Sequence, residues 1–160
     1  RSGSVTGVQT CALPIFDKIG LAAIEATLRL YADPAILRAK LPTIRLLARS
    51  ADDIRAAAER VLAAATTHLP DGIKAEIAPC HSQIGSGALP LDLMPSVAIT
   101  FAAKQARGGG ARLEKLAAQL RALPVPVIGR IADGRLWLDL RCLEPQDEPL
   151  LAKQFAALAA

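Results

Sequence analysis

The order of predicted elements indicates an α+β domain with a mainly antiparallel sheet and helices packed on one face. Two or three helices come first, and two strands, a helix, a β-hairpin and a closing helix follow. The hairpin is the strongest signal, because Asp133-Gly134 separates two apolar runs and is a dipeptide that type I′ turns favour. The chain has 160 residues, of which 52% are apolar, so it has a one-domain length and enough apolar side chains for a core.

Helical spacing and stop signals predict the helices of the first third. Asp17 is expected to cap a helix that ends at Asp33-Pro34, and a second short helix covers residues 35–40. Large apolar residues recur at helical spacing in the first of these helices, at Leu21, Ile24, Leu28 and Tyr31. Ser50 and Asp53 form a capping-box-like start for a third helix, which Pro70-Asp71-Gly72 ends.

Alternation of apolar and polar residues predicts two strands, Ile73–Pro79 and Val97–Phe101. A helix is expected over Ala111–Leu123, after the glycine-rich loop at 108–110, and Pro149 stands near the start of a closing helix. This order leaves strands interleaved with helices and contains no internal repeat.

The hairpin at 124–144 predicts two different faces. The turn places Ile131 opposite Leu136 and Arg130 opposite Trp137, so the apolar members share one face that should lie on a core. The other face carries Arg130, Trp137, Asp139 and Arg141. Arg130 lies opposite Trp137 and diagonal to Asp139, so the register allows a cation–π contact and an ion pair. We therefore treat the Arg130/Trp137 face as a candidate docking surface.

Composition excludes several classes of function. The net charge of +4 comes without a cluster of basic residues, and only 3% of residues are aromatic, so no nucleic-acid stacking surface is evident. No apolar run approaches the roughly 18 residues of a membrane span. Cys80 and Cys142 lie in strand-like runs without metal-ligand spacing, which favours buried free thiols in a reducing cytoplasm.

The first 16 residues are expected to be foreign to the fold. Val5–Ile15 can be back-translated as a common sequencing adapter read in frame, and Phe16 continues the same string. These residues show neither a helical or strand period nor the pattern of a signal peptide. We exclude them from fold reasoning and expect the rest to be a fragment of a longer protein.

Four blocks of sequence carry a family resemblance. They are DKIGLAAIEATLRLYADP (17–34), LPTIRLLARS (41–50), SQIGSGALPLDLMPS (82–96) and PVPVIGRIADGRLWLDLRCLE (124–144). In this order they resemble the C-terminal region of bacterial L-seryl-tRNA(Sec) selenium transferases, and the likeness runs from Asp17 almost to the C-terminus.

The resemblance implies the small C-terminal domain of a fold-type-I, pyridoxal-phosphate-dependent transferase. Residues 17–50 would be helices connecting it to a missing large domain, and residues 51–160 the small α+β domain. The parent enzyme would convert seryl-tRNA(Sec) to selenocysteinyl-tRNA(Sec) with selenophosphate. It would be a cytoplasmic homo-oligomer.

The same resemblance bears on individual residues. The family carries its Schiff-base lysine in a Ser-x-Asp-Lys-Leu-Leu-Gly-Gly context, whereas Lys18 begins a segment that matches a later helix. The chain is therefore expected to lack the catalytic and cofactor-binding residues and to be inactive alone, and no metal site is expected. The segment that matches the family near the cleft implies substrate-proximal residues at Ser82, Gln83, Gly85, Ser86 and Gly87.

Two alternatives remain at this point. The first is the small domain of another fold-type-I enzyme. Many of those enzymes bind a free substrate carboxylate with an arginine, and the presence of Arg130 and Arg141 does not decide between the two identities. A stand-alone α+β binding module for RNA or protein is the other alternative.

Overall fold

The structure, a computed structural model, describes residues 17–83 and 93–159. The chain divides into two compact units, of which the first ends at Ala48 and the second begins at Arg49. The second unit contains the sheet, and its order of helices and strands confirms the predicted α+β class.

The first unit is helical throughout its described part, 17–48. It contains α1 (Lys18–Tyr31), α2 (Pro34–Lys40) and α3 (Pro42–Leu47). The Asp17 carboxylate accepts a 2.6 Å hydrogen bond from the Gly20 N–H and caps α1 as predicted. Helix α3 was not predicted, because Pro42 was read only as an end of α2. Proline also fits the first turn of a helix, where its missing N–H has no partner to lose.

The described part of the second unit contains three α-helices and four strands. Its elements are α4 (Ala51–Ala65), β1 (Ile73–Gln83), β2 (Leu93–Ala103), α5 (Gly109–Arg121), β3 (Arg130–Ala132), β4 (Arg135–Asp139) and α6 (Glu148–Ala156). Short 3₁₀ turns precede β1 and flank α6. The sheet order is β1-β2-β4-β3, and every neighbouring pair is antiparallel.

One face of this sheet forms the core. The register aligns Ile77 with Ile99 and Ile99 with Leu138 across three strands, so their side chains share a face. Helices α4 and α5 pack against this sheet, and α6 packs against α4. The largest fully buried side chains of the core are Phe101, Phe155, Ile54, Ile99, Leu113, Leu116, Leu120 and Leu136.

Both long strands extend beyond the predicted bounds. The predicted strands end at Pro79 and begin at Val97, two residues after Pro95, and proline cannot donate to a ladder. Pro79 lies in β1, an edge strand, and Pro95 lies in the part of β2 that precedes its pairing with β4. At both prolines one edge of the strand has no neighbouring strand in the described sheet, so the missing N–H costs no hydrogen bond there. The pairing of β1 with β2 therefore continues to Gln83 and Leu93.

The hairpin confirms the predicted turn. Asp133 and Gly134 both have positive φ, 51° and 69°, as a type I′ turn requires, and Arg130 pairs with Trp137. The predicted cation–π contact is present, with the Arg130 guanidinium carbon 5.7 Å from the Trp137 ring centroid. The apolar face is only partly covered, because Ile131 in the short edge strand β3 is 40% exposed.

Polar contacts define the start of α4 and its link to α6. The Ser50 hydroxyl accepts from the Asp53 N–H at 3.0 Å and donates to the Asp53 carboxylate at 2.6 Å, which confirms the predicted cap. The Arg60 guanidinium donates two 2.8 Å hydrogen bonds to Glu148 at the start of α6. This hydrogen bonding lowers the pKa of Glu148 below its ordinary value of 4.5 and raises the pKa of Arg60.

Two features are absent from residues 17–83 and 93–159. No helix among them is long and apolar enough to cross a membrane. Nor do these residues include a group of three or more His, Cys, Asp or Glu side chains that could hold a metal ion.

Candidate functional site

The predicted substrate-proximal residues begin at the end of β1. Ser82 is half-buried and Gln83 is exposed, and because neighbours along a strand alternate, their side chains lie on opposite faces of the sheet. Gly85, Ser86 and Gly87 lie outside the described residues. The structure therefore places Ser82 alone in a defined environment.

That environment is centred on Asp139 at the end of β4. Its carboxylate accepts from the Ser82 hydroxyl at 2.5 Å, from the Ser96 hydroxyl at 2.6 Å and from the Arg141 N–H at 3.0 Å. Ser82 comes from β1 and Ser96 from β2, so one carboxylate joins the ends of three strands. Ser96 is buried, and such a hydroxyl is costly to leave without a partner.

Arg141 completes this network from the turn that follows β4. Its guanidinium donates to the Ser82 hydroxyl at 3.3 Å, to the Arg49 carbonyl at 3.1 Å and to the Pro95 carbonyl at 2.5 Å. The sequence grouped Arg141 with Arg130, Trp137 and Asp139 on one face of the hairpin, and its guanidinium does contact Ser82 beside Asp139. The residue is only 5% exposed, so it belongs to the packed part of the fold and not to an exposed docking surface.

Arg49 returns the contact from the first residue of the second unit. Its guanidinium donates to the carbonyls of Leu140, Arg141 and Leu143, at 3.0, 2.9 and 2.5 Å. The side chain of each arginine thus donates to the backbone carbonyl of the other. Charge-assisted bonds of this kind are among the stronger hydrogen bonds in proteins. We call Arg49, Ser82, Ser96, Asp139 and Arg141 the arginine clamp.

The arginine clamp has the chemistry of a structural network. The Ser82 hydroxyl donates to a carboxylate and accepts from a guanidinium, so its bonds are used within the fold. A serine nucleophile needs a base such as histidine, and His81 lies on the opposite face of β1. In the part of the chain that is described, every buried side-chain nitrogen or oxygen has a hydrogen-bond partner.

The Cys80 thiol is not an activated nucleophile. Burial, with the negative charge of Asp139, raises the pKa of the Cys80 thiol above its ordinary value of 9.0, so the thiol stays protonated at neutral pH. Cys80 is half-buried, but Cys142 is exposed, so the expectation that both are buried is wrong for Cys142. Cys142 lies in the turn beyond β4 rather than in a strand.

The remaining part of the open sheet face carries paired charges. Arg135 binds the Glu76 carboxylate and reaches the Thr100 hydroxyl at 3.4 Å. Trp137 is half-buried and donates from its indole nitrogen to the Ala132 carbonyl at 3.1 Å, while Arg130 above it is exposed. On this face Glu76 is therefore paired with Arg135, whereas Arg130 contacts the Trp137 ring.

An apolar groove of about 430 Å³ lies between residues 125–128, the end of β4 and α6. Most of its lining is aliphatic, and its charged members, Asp139 and Asp147, are both acidic. An anionic phosphate group would be repelled there. The groove also contains no lysine, and all six lysines of the chain, at 18, 40, 74, 104, 115 and 153, are exposed.

Comparison with known proteins decides the family. The sequence model of the L-seryl-tRNA selenium transferase family matches residues 10–144. The chain belongs to the L-seryl-tRNA selenium transferase family. The match starts within the 16 residues that we set aside and ends with the hairpin block.

Individual selenium transferases agree with this assignment. The L-seryl-tRNA(Sec) selenium transferase of Klebsiella pneumoniae (strain 342) is 58% identical over 130 residues, which are 81% of this chain and 28% of that protein. The proteins of the same name from Escherichia fergusonii and Salmonella schwarzengrund are 56% and 58% identical over equal lengths. The chain thus spans 28% of the length of these relatives.

Sequence reasoning found only part of the arginine clamp in this family member. It named Ser82 from the family block and placed Asp139 and Arg141 on one face of the hairpin. Arg49 and Ser96 were missed, because their partners are 92 and 43 residues away along the chain. The one available signal was the position of both residues inside matching family blocks.

Proposed function

We propose that this chain is the C-terminal part of a pyridoxal-phosphate-dependent enzyme that converts seryl-tRNA(Sec) to selenocysteinyl-tRNA(Sec) with selenophosphate. The observation that carries the proposal is the 58% identity over 130 residues to an L-seryl-tRNA(Sec) selenium transferase. Since the matched stretch is 28% of that relative, the activity belongs to a larger polypeptide. A cytoplasmic homo-oligomer is part of the same proposal.

The described residues do not fit a pyridoxal phosphate site. A Schiff-base lysine is activated by desolvation or by a neighbouring cation, whereas every lysine here is exposed. A phosphate group needs hydrogen-bond donors or cations around it, whereas the charged residues that line the apolar groove are Asp139 and Asp147. We therefore assign the cofactor and its lysine to sequence outside this chain.

The chain would supply a fold-type-I small domain in this enzyme. Residues 51–160 would form that α+β domain, and residues 17–50 would connect it to the large domain. The core on one sheet face and the paired polar groups on the other suit a domain whose open face meets another surface. The Arg130/Trp137 pair would contribute to that docking surface.

Ser82 and Gln83 would lie near the substrate through the segment that follows them. The arginine clamp supports this role indirectly, because it holds Ser82 before the segment and Pro95 and Ser96 after it. Ser82 would then be a positioning residue rather than a catalytic one.

A hybrid enzyme tests the proposed function. Residues 17–144 would replace the matched stretch of the Klebsiella pneumoniae transferase, and selenocysteinyl-tRNA(Sec) formation would be measured with purified seryl-tRNA(Sec) and selenophosphate. We expect turnover within about tenfold of the parent enzyme, since more than half of the exchanged residues are identical.

The 160-residue chain alone is the matched control. We expect it to show neither cofactor absorbance nor turnover. A folded hybrid without activity, or a bound cofactor in the chain alone, would contradict the proposal.

A further inference from the structure

Helix α1 presents an apolar stripe that the first unit does not cover. Its members are Leu21, Ile24, Leu28 and Tyr31, which are 49%, 42%, 62% and 52% exposed. Their spacing of three or four residues puts them on one side of the helix. We call these four residues the α1 stripe.

The charged residues of α1 lie outside the stripe, although Ile19, also outside it, is 80% exposed. Glu25 and Arg29 form a 2.6 Å ion pair one turn apart, and Lys18 lies on the same side. The helix is therefore amphipathic, and its apolar side has the composition of a buried surface. Single exposed apolar residues are ordinary, but an aligned set on one helix marks an interaction site.

The described residues of the first unit form no core that could bury this stripe. Among its described residues, 17–48, none is buried. Helices of 14, 7 and 6 residues are too short to be stable in water without an apolar face packed against something else. The unit therefore requires an external apolar surface.

The chemistry of the stripe indicates what that surface is. The α1 stripe contains no cation, so it lacks the charged groups that bind a nucleic-acid backbone. Its aliphatic side chains and the Tyr31 hydroxyl fit an apolar protein surface with a hydrogen-bond acceptor at one end. In the relatives, nearly three quarters of the polypeptide lies outside the matched stretch and is available to supply it.

We propose that the α1 stripe docks on an apolar surface of the remaining polypeptide of the selenium transferase. This proposal rests on the proposed function for the identity of the larger enzyme. Helix α1 would then attach this chain to the rest of the enzyme by apolar packing as well as by the covalent backbone.

Hydrogen exchange of the α1 amides tests this inference without reference to activity. In the hybrid enzyme we expect them to exchange at least about tenfold more slowly than in the 160-residue chain. The double substitution Ile24→Gln/Leu28→Gln, which keeps helix propensity, should remove most of that protection. Ala22→Gln is the matched control, because Ala22 is exposed on the polar side of α1, and it should leave the protection unchanged.

The chain alone provides a second measurement that does not depend on the hybrid. It should bind an apolar fluorescent dye, and Ile24→Gln/Leu28→Gln should weaken that binding whereas Ala22→Gln should not. Concentration-dependent protection of α1 in the chain alone would identify a second copy as the partner and overturn the proposal. Concentration-independent protection there, or fast exchange in both proteins, would also overturn it.

The outcomes separate this inference from the proposed function. A hybrid with protected α1 amides but no turnover would leave the docking proposal intact and refute the function. An active hybrid with unprotected α1 amides would refute the docking proposal and leave the proposed function intact.

Discussion

At the scale of single residues, the arginine clamp shows how buried polar groups are made compatible with a small core. Arg141 is almost fully buried, and a buried charge is costly unless it is fully bonded. Its guanidinium meets one hydroxyl and two carbonyls, while the Asp139 carboxylate binds its N–H. Because each partner comes from a different segment, the network fixes the relative positions of three strand ends and Arg49.

A second residue-scale feature gives a pH-dependent prediction. The pKa of Glu148 is lowered by its hydrogen bonds from Arg60, so the folded state holds the carboxylate ionised more strongly than the unfolded chain does. The stabilisation is therefore present above the unfolded pKa, near 4.5, and is lost as the pH falls through the lower folded pKa. The Arg60 side chain is 59% exposed, so solvent screens the pair and the effect should be modest.

We expect Glu148→Gln to lower the melting temperature at about pH 7 and to have a shrinking effect as the pH falls below 4.5, because protonation of Glu148 removes the ion pair. Thermal unfolding followed by circular dichroism measures this difference. Glu114→Gln, at an exposed position of α5, should show no comparable gap at neutral pH. A gap for Glu148→Gln that persists in acid would refute the ion-pair explanation.

At the scale of elements, the β3–β4 hairpin depends on glycine for two separate reasons. Gly134 has a φ of 69°, which L side chains rarely adopt, but a Cβ there would meet nothing within 4 Å. Gly129 has no such φ, yet a Cβ would lie 2.7 Å from the Trp137 carbonyl oxygen and 2.7 Å from Leu138. One position is constrained by backbone conformation and the other by space.

We expect Gly129→Ala to destabilise the chain by about 1–3 kcal/mol, because a backbone atom blocks the new methyl group. Gly134→Ala should cost about 1–2 kcal/mol through conformation alone. Gly110→Ala in α5 meets neither obstacle and should be neutral or stabilising by up to about 1 kcal/mol. Urea unfolding of the three variants measures the order, and a harmless Gly129→Ala would show that this close approach is absent.

The elements also show what sequence alone could predict. The type I′ turn and the cap at Ser50 were predictable, because each depends on residues within four positions of one another. The lengths of β1 and β2 were not, because the tolerance of Pro79 and Pro95 depends on which strand lies at the sheet edge. The burial of Arg141 was not predictable either, because its partners Arg49, Ser82 and Pro95 are distant in sequence.

At the scale of the whole molecule, the two units differ in what stabilises them. Every buried apolar residue of the core cluster belongs to the second unit, from Ile54 to Phe155. The first unit has amphipathic helices without a buried residue in its described part. Burial of apolar area is the dominant stabilising term in folding, so the cooperative unfolding transition of this chain should belong to the second unit.

We therefore expect a chain that begins at Leu47 to unfold within about 2 °C of the 160-residue chain. Leu47 is chosen so that Arg49 keeps its carbonyl and side chain in the arginine clamp. Arg49→Ala in the shorter chain is the matched control and should lower the melting temperature, because the carbonyls of Leu140 and Leu143 lose their donor. Thermal unfolding by circular dichroism measures both changes. A fall of more than about 4 °C on truncation alone corresponds to roughly 1 kcal/mol and would mean that the first unit stabilises the second, contrary to the distribution of buried residues.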